Sequence, residues 1–332
     1  MATRPGRGAR HLRLATRGSP LARWQAARVA ALLGALPDPP TCEVVVILTT
    51  GDRLTDTPID RLGGQGAFVT EIQTAVLDGR ADIAVHSAKD LPSVTPPGLE
   101  LVCVPERADP RDALVGSRLA DLGPGARVAT GSVRRRAQLS WLRPDLTFAE
   151  LRGNMATRLE RARREGAGVV AVAAFERLGL AGQIAEVLDT GTLLPQVAQG
   201  ALAVECRADD DAVRRVVIGI DDPVAHLAVT AERAFLAALG GGCTLPVGAL
   251  ATPSGFPPVG VPDRGTAPTG AHAPEEVALE GMLASRDGRV LLRRRATGGD
   301  PVELGRRLAS DLLDHGGRVL DDWAPAGGGG DR

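Results

Sequence analysis

A short apolar run, a polar turn and a helix recur in that order along the first two-thirds of this chain. Leu12 to Thr16 runs into Arg17-Gly18-Ser19-Pro20 and then an Ala-rich stretch to about Leu33. Ser19 is a good N-cap and Pro20 a good first helical residue. Val44 to Leu48 is an apolar, β-branched run, which predicts a buried parallel strand. Ile83 to Val85 runs into His86-Ser87-Ala88-Lys89-Asp90-Leu91-Pro92. Val128-Ala129-Thr130-Gly131-Ser132 leads into a helix with Arg134, Arg135 and Arg136, and Leu151-Arg152-Gly153-Asn154 into one with Arg158. Val169 to Ala173 predicts another buried strand, with Arg177 at its end. Units of this kind build open α/β sheets, which bind ligands at the carboxyl ends of their strands.

Punctuation divides the chain. Thr49 to Gly66 is polar, with Gly63-Gly64-Gln65-Gly66, and reads as a loop before a helix from Phe68 to Leu77. After Pro96-Pro97-Gly98, the segment Arg107 to Arg111 reads as a crossing into a second unit. Gln199 to Cys206 is a glycine-led strand that returns to the first unit. From Asp221 the character changes to a helix with Glu232 and Arg233, the loop around Cys243, and strands over Leu279 to Leu283 and Val290 to Arg294. A helix from Val302 to Leu313 follows. The expected domains are 1–104 with a returning segment 199–220, then 105–198, then 221–325. Within the third, 251–276 is a Pro/Gly-rich insertion, and 326–332 is a disordered tail.

Composition excludes several classes. Formal net charge is −1, so no overall field favours nucleic acid or a membrane. Aromatics are 2% with no tyrosine, which argues against base-stacking surfaces. Cys42, Cys103, Cys206 and Cys243 form no CxxC pair, so neither a metal site nor a disulfide framework is expected. The basic start is not followed by an apolar segment, and no stretch approaches a membrane span, so the expected compartment is the cytoplasm.

The charged residues point to an anionic ligand. Lys89 is the only lysine among 39 basic residues, which marks a place where a compact ammonium is needed rather than a flat fork. Between Arg127 and Arg164 there are ten arginines against three acidic residues. Several sit at helix starts, where the dipole disfavours cations and an anionic ligand relieves the conflict. A guanidinium matches a carboxylate bidentately, so this number of arginines implies a polyanionic small molecule or chain. The loop Gly240-Gly241-Gly242-Cys243-Thr244-Leu245-Pro246 presents one thiol on a tight turn, with room for a bulky group beside it.

Taken together, Arg17 to Ala22, His86 to Pro92, Leu151 to Asn154 with Thr157-Arg158-Leu159, and Gly241-Gly242-Cys243 resemble the signatures of the porphobilinogen deaminase, or hydroxymethylbilane synthase, family. The resemblance runs in unbroken order from Leu12 to Trp323. It implies three α/β domains, the first two arranged like a periplasmic binding protein around a cleft, the third a smaller α+β domain carrying the cysteine. It implies a dipyrromethane cofactor joined by a thioether to Cys243. Four porphobilinogen units are then condensed in turn with loss of ammonia, and a linear tetrapyrrole is released by a monomeric enzyme.

By the same resemblance Asp90 is the catalytic carboxylate. Ser87, Lys89, Thr130, Ser132, Arg134, Arg135 and Arg158 hold the cofactor. Arg17, Ser19, Arg152 and Arg177 hold substrate and growing chain. The chain departs from the family pattern at Gln65, Ala67, Gly131 and Gly240. Two other classes are weighed against this reading. A non-catalytic, two-lobed carboxylate-binding protein explains the arginines but needs neither Cys243 nor a third domain. A cysteine-nucleophile hydrolase needs a histidine partner, and none of the five histidines stands in a pairing motif.

Overall fold

The computed structural model describes residues 10–49, 69–151, 153, 155–240, 245–254 and 276–320. Cys243, Arg152, Gln65 and Ala67 lie outside them, as do the loop 50–66, most of the insertion and the tail. By packing, the chain divides into two compact units. The first comprises 1–91, 95–106 and 202–222, the second 92–94, 107–201 and 223–332.

The first unit opens with β1 (His11–Arg17), α1 (Pro20–Gly34), β2 (Thr41–Ile47), α2 (Thr70–Leu77), β3 (Ile83–Ser87) and β4 (Leu99–Cys103). The second continues with β5 (Asp112–Val115), β6 (Arg127–Ala129), α3 (Val133–Leu142), β7 (Thr147–Ala149), α4 (Met155–Glu165), β8 (Ala167–Ala171), α5 (Val172–Arg177) and β9 (Ile184–Val187). The chain then supplies β10 (Leu202–Arg207) and α6 (Asp211–Val217) to the first unit. It ends with α7 (Pro223–Ala238), β11 (Val247–Pro253), β12 (Val277–Ala284), β13 (Leu291–Gly298) and α8 (Pro301–Asp314) in the second.

The first sheet runs β2-β1-β3-β10-β4. β1 is parallel to β2 and β3, and β10 is antiparallel to both β3 and β4. The second sheet runs β7-β6-β8-β5-β9, with β6 parallel to β7 and β8, and β5 antiparallel to β8 and β9. Order and direction are therefore the same in both sheets. The odd strand of each comes from a segment that has just changed units: β10 begins at Leu202, where the chain re-enters the first unit, while Gln199 to Ala201 belong to the second. The third sheet, β11-β12-β13, is antiparallel throughout.

The first two sheets each have their own core. Leu12, Leu14, Val29, Leu33, Ile83, Val85 and Val204 fill one side of the first sheet, and Ile72, Val76 and Ala84 the other. Fully burying a side chain of this size contributes about 1.5–3 kcal/mol, which is what holds α1 and α2 to the sheet. Leu114, Val128, Leu139 and Val169 form the second core. The second and third sheets share one unit because Ala137 and Leu194 pack with Leu250, Met282 and Ala284. α7 and α8 cover the third sheet, with Phe235 fully buried.

Two strand expectations change. The run Val44 to Leu48 is parallel but lies at the sheet edge, with Val44, Val46 and Leu48 exposed. Its β-branched residues reflect strand propensity rather than burial on both faces. Strand β8 ends at Ala171, where its pairing with β5 stops at Asp112, and Val172 begins α5. Arg177 is therefore carried by a short helix and not by the strand end.

Candidate active site

In the first unit, two parallel strands end side by side. β1 and β3 pair in register Leu14 with Ile83, so their carboxyl ends lie at the same sheet edge. That edge carries Arg17 and Ser19 from β1 and Ser87, Lys89 and Asp90 from β3. Ser19 caps α1 by accepting from the Ala22 N–H at 3.3 Å. Ala88 to Asp90 form one 3-10 turn, closed by the Leu91 N–H to the Ala88 carbonyl. The turn leaves Ala88 buried and Lys89 and Asp90 half-buried. Gln25 of α1, itself buried, donates to Ser87 Oγ at 2.7 Å. Accepting that bond directs the Ser87 hydroxyl hydrogen elsewhere, so the group can donate to a ligand.

The second unit repeats the device at the carboxyl ends of β6, β7 and β8. Thr130 follows β6, is buried, and accepts from the Ser132 N–H at 3.2 Å. Ser132 caps α3 by accepting from the Arg135 N–H. Arg158 on α4 donates from Nε to the Gly153 carbonyl at 2.9 Å. Arg177 donates to the Gly200 carbonyl at 2.6 Å, and burial brings its pKa down to about 10.

Arg134 and Arg135 do not lie on a solvated face. Both guanidiniums turn inward onto one carboxylate, Asp112 of β5, which is 0% exposed. Arg134 donates to Oδ2 at 2.7 Å and Arg135 to Oδ1 at 2.7 and 3.1 Å. Gln199 adds a bond to Oδ1 at 2.9 Å. Burial acts to raise the Asp112 pKa, but the two guanidiniums outweigh it and hold the carboxyl below the usual range. Burial likewise lowers Arg134, against the opposing effect of Asp112. Two cations on one anion leave this cluster with one surplus positive charge. Nε of Arg134 is buried and has no hydrogen-bond partner among the described residues. A buried surplus cation with an unmet donor is costly, and an anion relieves it. The cluster thus fits an anionic group such as a dipyrromethane carboxylate.

Sequence reasoning missed Asp112, Gln199 and Gln25, and the buried carboxylates Glu205 and Glu232. The signal for Asp112 was a lone acid heading the apolar run Ala113-Leu114-Val115. A carboxylate in a buried strand must have charged or hydrogen-bonding partners.

These features can be set against known proteins. A family model described as porphobilinogen deaminase, dipyromethane cofactor binding domain, matches residues 12–215, and one described as porphobilinogen deaminase, C-terminal domain, matches 226–255. A porphobilinogen deaminase of Roseiflexus sp. (strain RS-1) is 48% identical over 92% of this chain and 97% of its own length. That of Roseiflexus castenholzii is 47% identical over 93% and 98%. That of Acidothermus cellulolyticus is 44% identical over 93% and 90%.

Proposed function

The chain belongs to the porphobilinogen deaminase family, and from that premise we propose roles for its own residues. The enzyme is a transferase of tetrapyrrole biosynthesis. It condenses four porphobilinogen molecules head to tail, with loss of ammonia, on a dipyrromethane cofactor and yields hydroxymethylbilane. The cofactor supplies the pyrrole end to which the first substrate is joined.

Asp90 is the catalytic carboxylate. Loss of ammonia from porphobilinogen leaves an electron-poor cation, and a fixed carboxylate beside it stabilises that charge. The same group can hand a proton to the leaving amine and take one from the ring carbon. Lys89, Ser87, Thr130, Ser132, Arg134, Arg135 and Arg158 hold cofactor carboxylates. Arg17, Ser19, Arg152 and Arg177 hold substrate and growing chain, and Cys243 carries the cofactor by a thioether. Each added unit brings an acetate and a propionate, so the bound chain becomes steadily more anionic. The observation that carries this reading is the pair of guanidiniums sharing the single carboxylate of Asp112.

The three sheets are consistent with three domains, the second and third joined by the packing of Ala137 and Leu194 on Leu250, Met282 and Ala284. We infer that the enzyme works as a cytoplasmic monomer without nucleic acid or membrane. The near-neutral net charge argues against nucleic acid. Among the described residues no helix is long and apolar enough to cross a membrane. The non-catalytic carboxylate-binding alternative is not favoured, because the family matches reach into the third sheet.

Intact mass of the purified protein tests the site. The expected result is the polypeptide plus two pyrrole units, an adduct lost in Cys243→Ala and kept when Cys42, Cys103 or Cys206 is changed. Acid p-dimethylaminobenzaldehyde should colour the wild type and not Cys243→Ala. A bare polypeptide mass from a porphobilinogen-producing host would sink the assignment.

A further inference from the structure

Leu194 and Pro195 belong to the connection between β9 and β10. Leu194 is fully buried, so its N–H and carbonyl must find partners inside the protein. Side chains of α3 supply both. Gln138, itself buried, accepts the Leu194 N–H on Oε1 at 2.7 Å and donates Nε2 to the Leu194 carbonyl at 3.0 Å. Arg134 donates Nη1 to the same carbonyl at 2.5 Å. The two residues are four apart on one helix, which places their side chains on one face.

We propose that Gln138 is a positioning residue for the cofactor: by clamping Leu194 it holds the Arg134 guanidinium in its binding orientation. The proposal rests on the reading of Arg134 as a residue that holds a cofactor carboxylate. A guanidinium is planar and rigid, so two acceptors fix its direction. For Arg134 these are Oδ2 of Asp112 and the Leu194 carbonyl. Asp112 belongs to β5 and is held by the sheet. Leu194 lies in no strand, so its carbonyl stays in place through the contacts of the segment itself. Gln138 grips the residue at both backbone groups. From the other side, the Ala249 N–H of β11 donates to the Pro195 carbonyl at 3.0 Å, and Leu194 packs with Leu250 and Met282. The strand that follows the Cys243 loop and the helix that carries Arg134 are thus both fastened to Leu194-Pro195. A clamp that served only the fold would satisfy Leu194 and leave Arg134 indifferent. Here one carbonyl oxygen receives both side chains, so losing Gln138 frees the acceptor that orients Arg134 Nη1.

The test follows cofactor attachment to the full chain. Protein made in a host without porphobilinogen is mixed with porphobilinogen, and intact mass is followed as two pyrrole units are gained. Gln138→Met keeps the volume and removes both hydrogen bonds. It should attach the cofactor about tenfold more slowly, the effect of weakening one charge-assisted hydrogen bond. Arg134→Leu should be slowed at least as much. The double variant Gln138→Met/Arg134→Leu should be no slower than Arg134→Leu alone, because Gln138 acts through Arg134. Leu308→Ala, on α8 and buried away from the segment, is the stability control. It should lower Tm and leave the attachment rate within about twofold. If Gln138→Met does not fold, Gln138→Asn carries the same comparison, since it is one methylene too short to hold both groups of Leu194.

A wild-type attachment rate in a folded Gln138 variant overturns the proposal. So does an equal slowing in Leu308→Ala, or a further tenfold fall on adding Gln138→Met to Arg134→Leu. A wild-type rate in Arg134→Leu overturns the Arg134 reading and this proposal together. A slowed Arg134→Leu beside an unaffected Gln138→Met overturns this proposal alone.

Discussion

Arg107 and Glu232 form a buried, two-pronged ion pair, with Nη1 2.6 Å from Oε1 and Nη2 3.1 Å from Oε2. Glu232 is fully buried and also accepts the Ala198 N–H at 2.6 Å and the Ala251 N–H at 2.8 Å. One carboxylate on α7 therefore gathers three segments of the second unit: the incoming crossing, the outgoing crossing and strand β11. Arg107 tightens the knot by donating Nε to the Gln199 carbonyl at 2.9 Å.

Glu232→Gln should destabilise the protein by roughly 3–5 kcal/mol, because it leaves the Arg107 cation without its partner. Urea unfolding measures this. An unchanged midpoint with an unchanged slope would show that the pair contributes nothing net.

Asp112 makes stability depend on acid. Its folded pKa lies below the unfolded value of about 3.9. Its contribution is therefore fully present above that value and is lost as pH falls through the folded pKa. Asp112→Asn should cost roughly 3–5 kcal/mol near neutrality. The gap between wild type and variant should narrow on going from pH 7 to pH 3. A gap of constant size across that range would remove Asp112 from the acid dependence.

Gly200 sits at φ 88°, and a Cβ there would meet the Ala108 carbonyl oxygen at 2.4 Å. The Ala108 N–H already donates to the Gly200 carbonyl, so the two crossings touch backbone to backbone. Gly200→Ala should cost about 1–3 kcal/mol in strain alone. It should also disturb Arg177, which donates to the same carbonyl. A Tm equal to wild type would contradict the close approach.

Lys89→Arg keeps the charge and changes the shape. In a cofactor contact the larger flat fork should lower activity clearly, while Tm stays near wild type. A fully active Lys89→Arg enzyme would make the lone lysine an accident of composition.

Arginine losses should act at different stages. Arg134→Leu and Arg135→Leu should impair cofactor assembly and, because both lie on buried Asp112, should also lower stability. Arg17→Leu, at the half-buried edge of the first sheet, should stall elongation with the cofactor in place. Mass spectra of trapped intermediates separate the two. Identical effects at all three positions would contradict distinct roles.

Local chemistry was readable from the chain alone. Ser19 and Ser132 were placed at helix starts by their neighbours, since capping is a matter of three or four consecutive residues. Strand-end motifs identified the polar edge for the same reason. What could not be read were contacts between distant segments. Asp112 meets Arg134 and Gln199, Arg107 meets Glu232, and His86 meets Glu205, all across more than twenty residues. Nor could burial be read at Val44 to Leu48, where the same β-branched run suits an edge or a centre.

The sequence by itself determined the α/β class and the family, because each rests on side-chain type and short-range order. Only the tertiary structure decided that Arg134 and Arg135 share one buried carboxylate, and that Ser87, at the strand end before Asp90, accepts from Gln25 of α1. Those facts depend on which strands become neighbours, and strand neighbours are chosen by burial of whole faces rather than by any local signal.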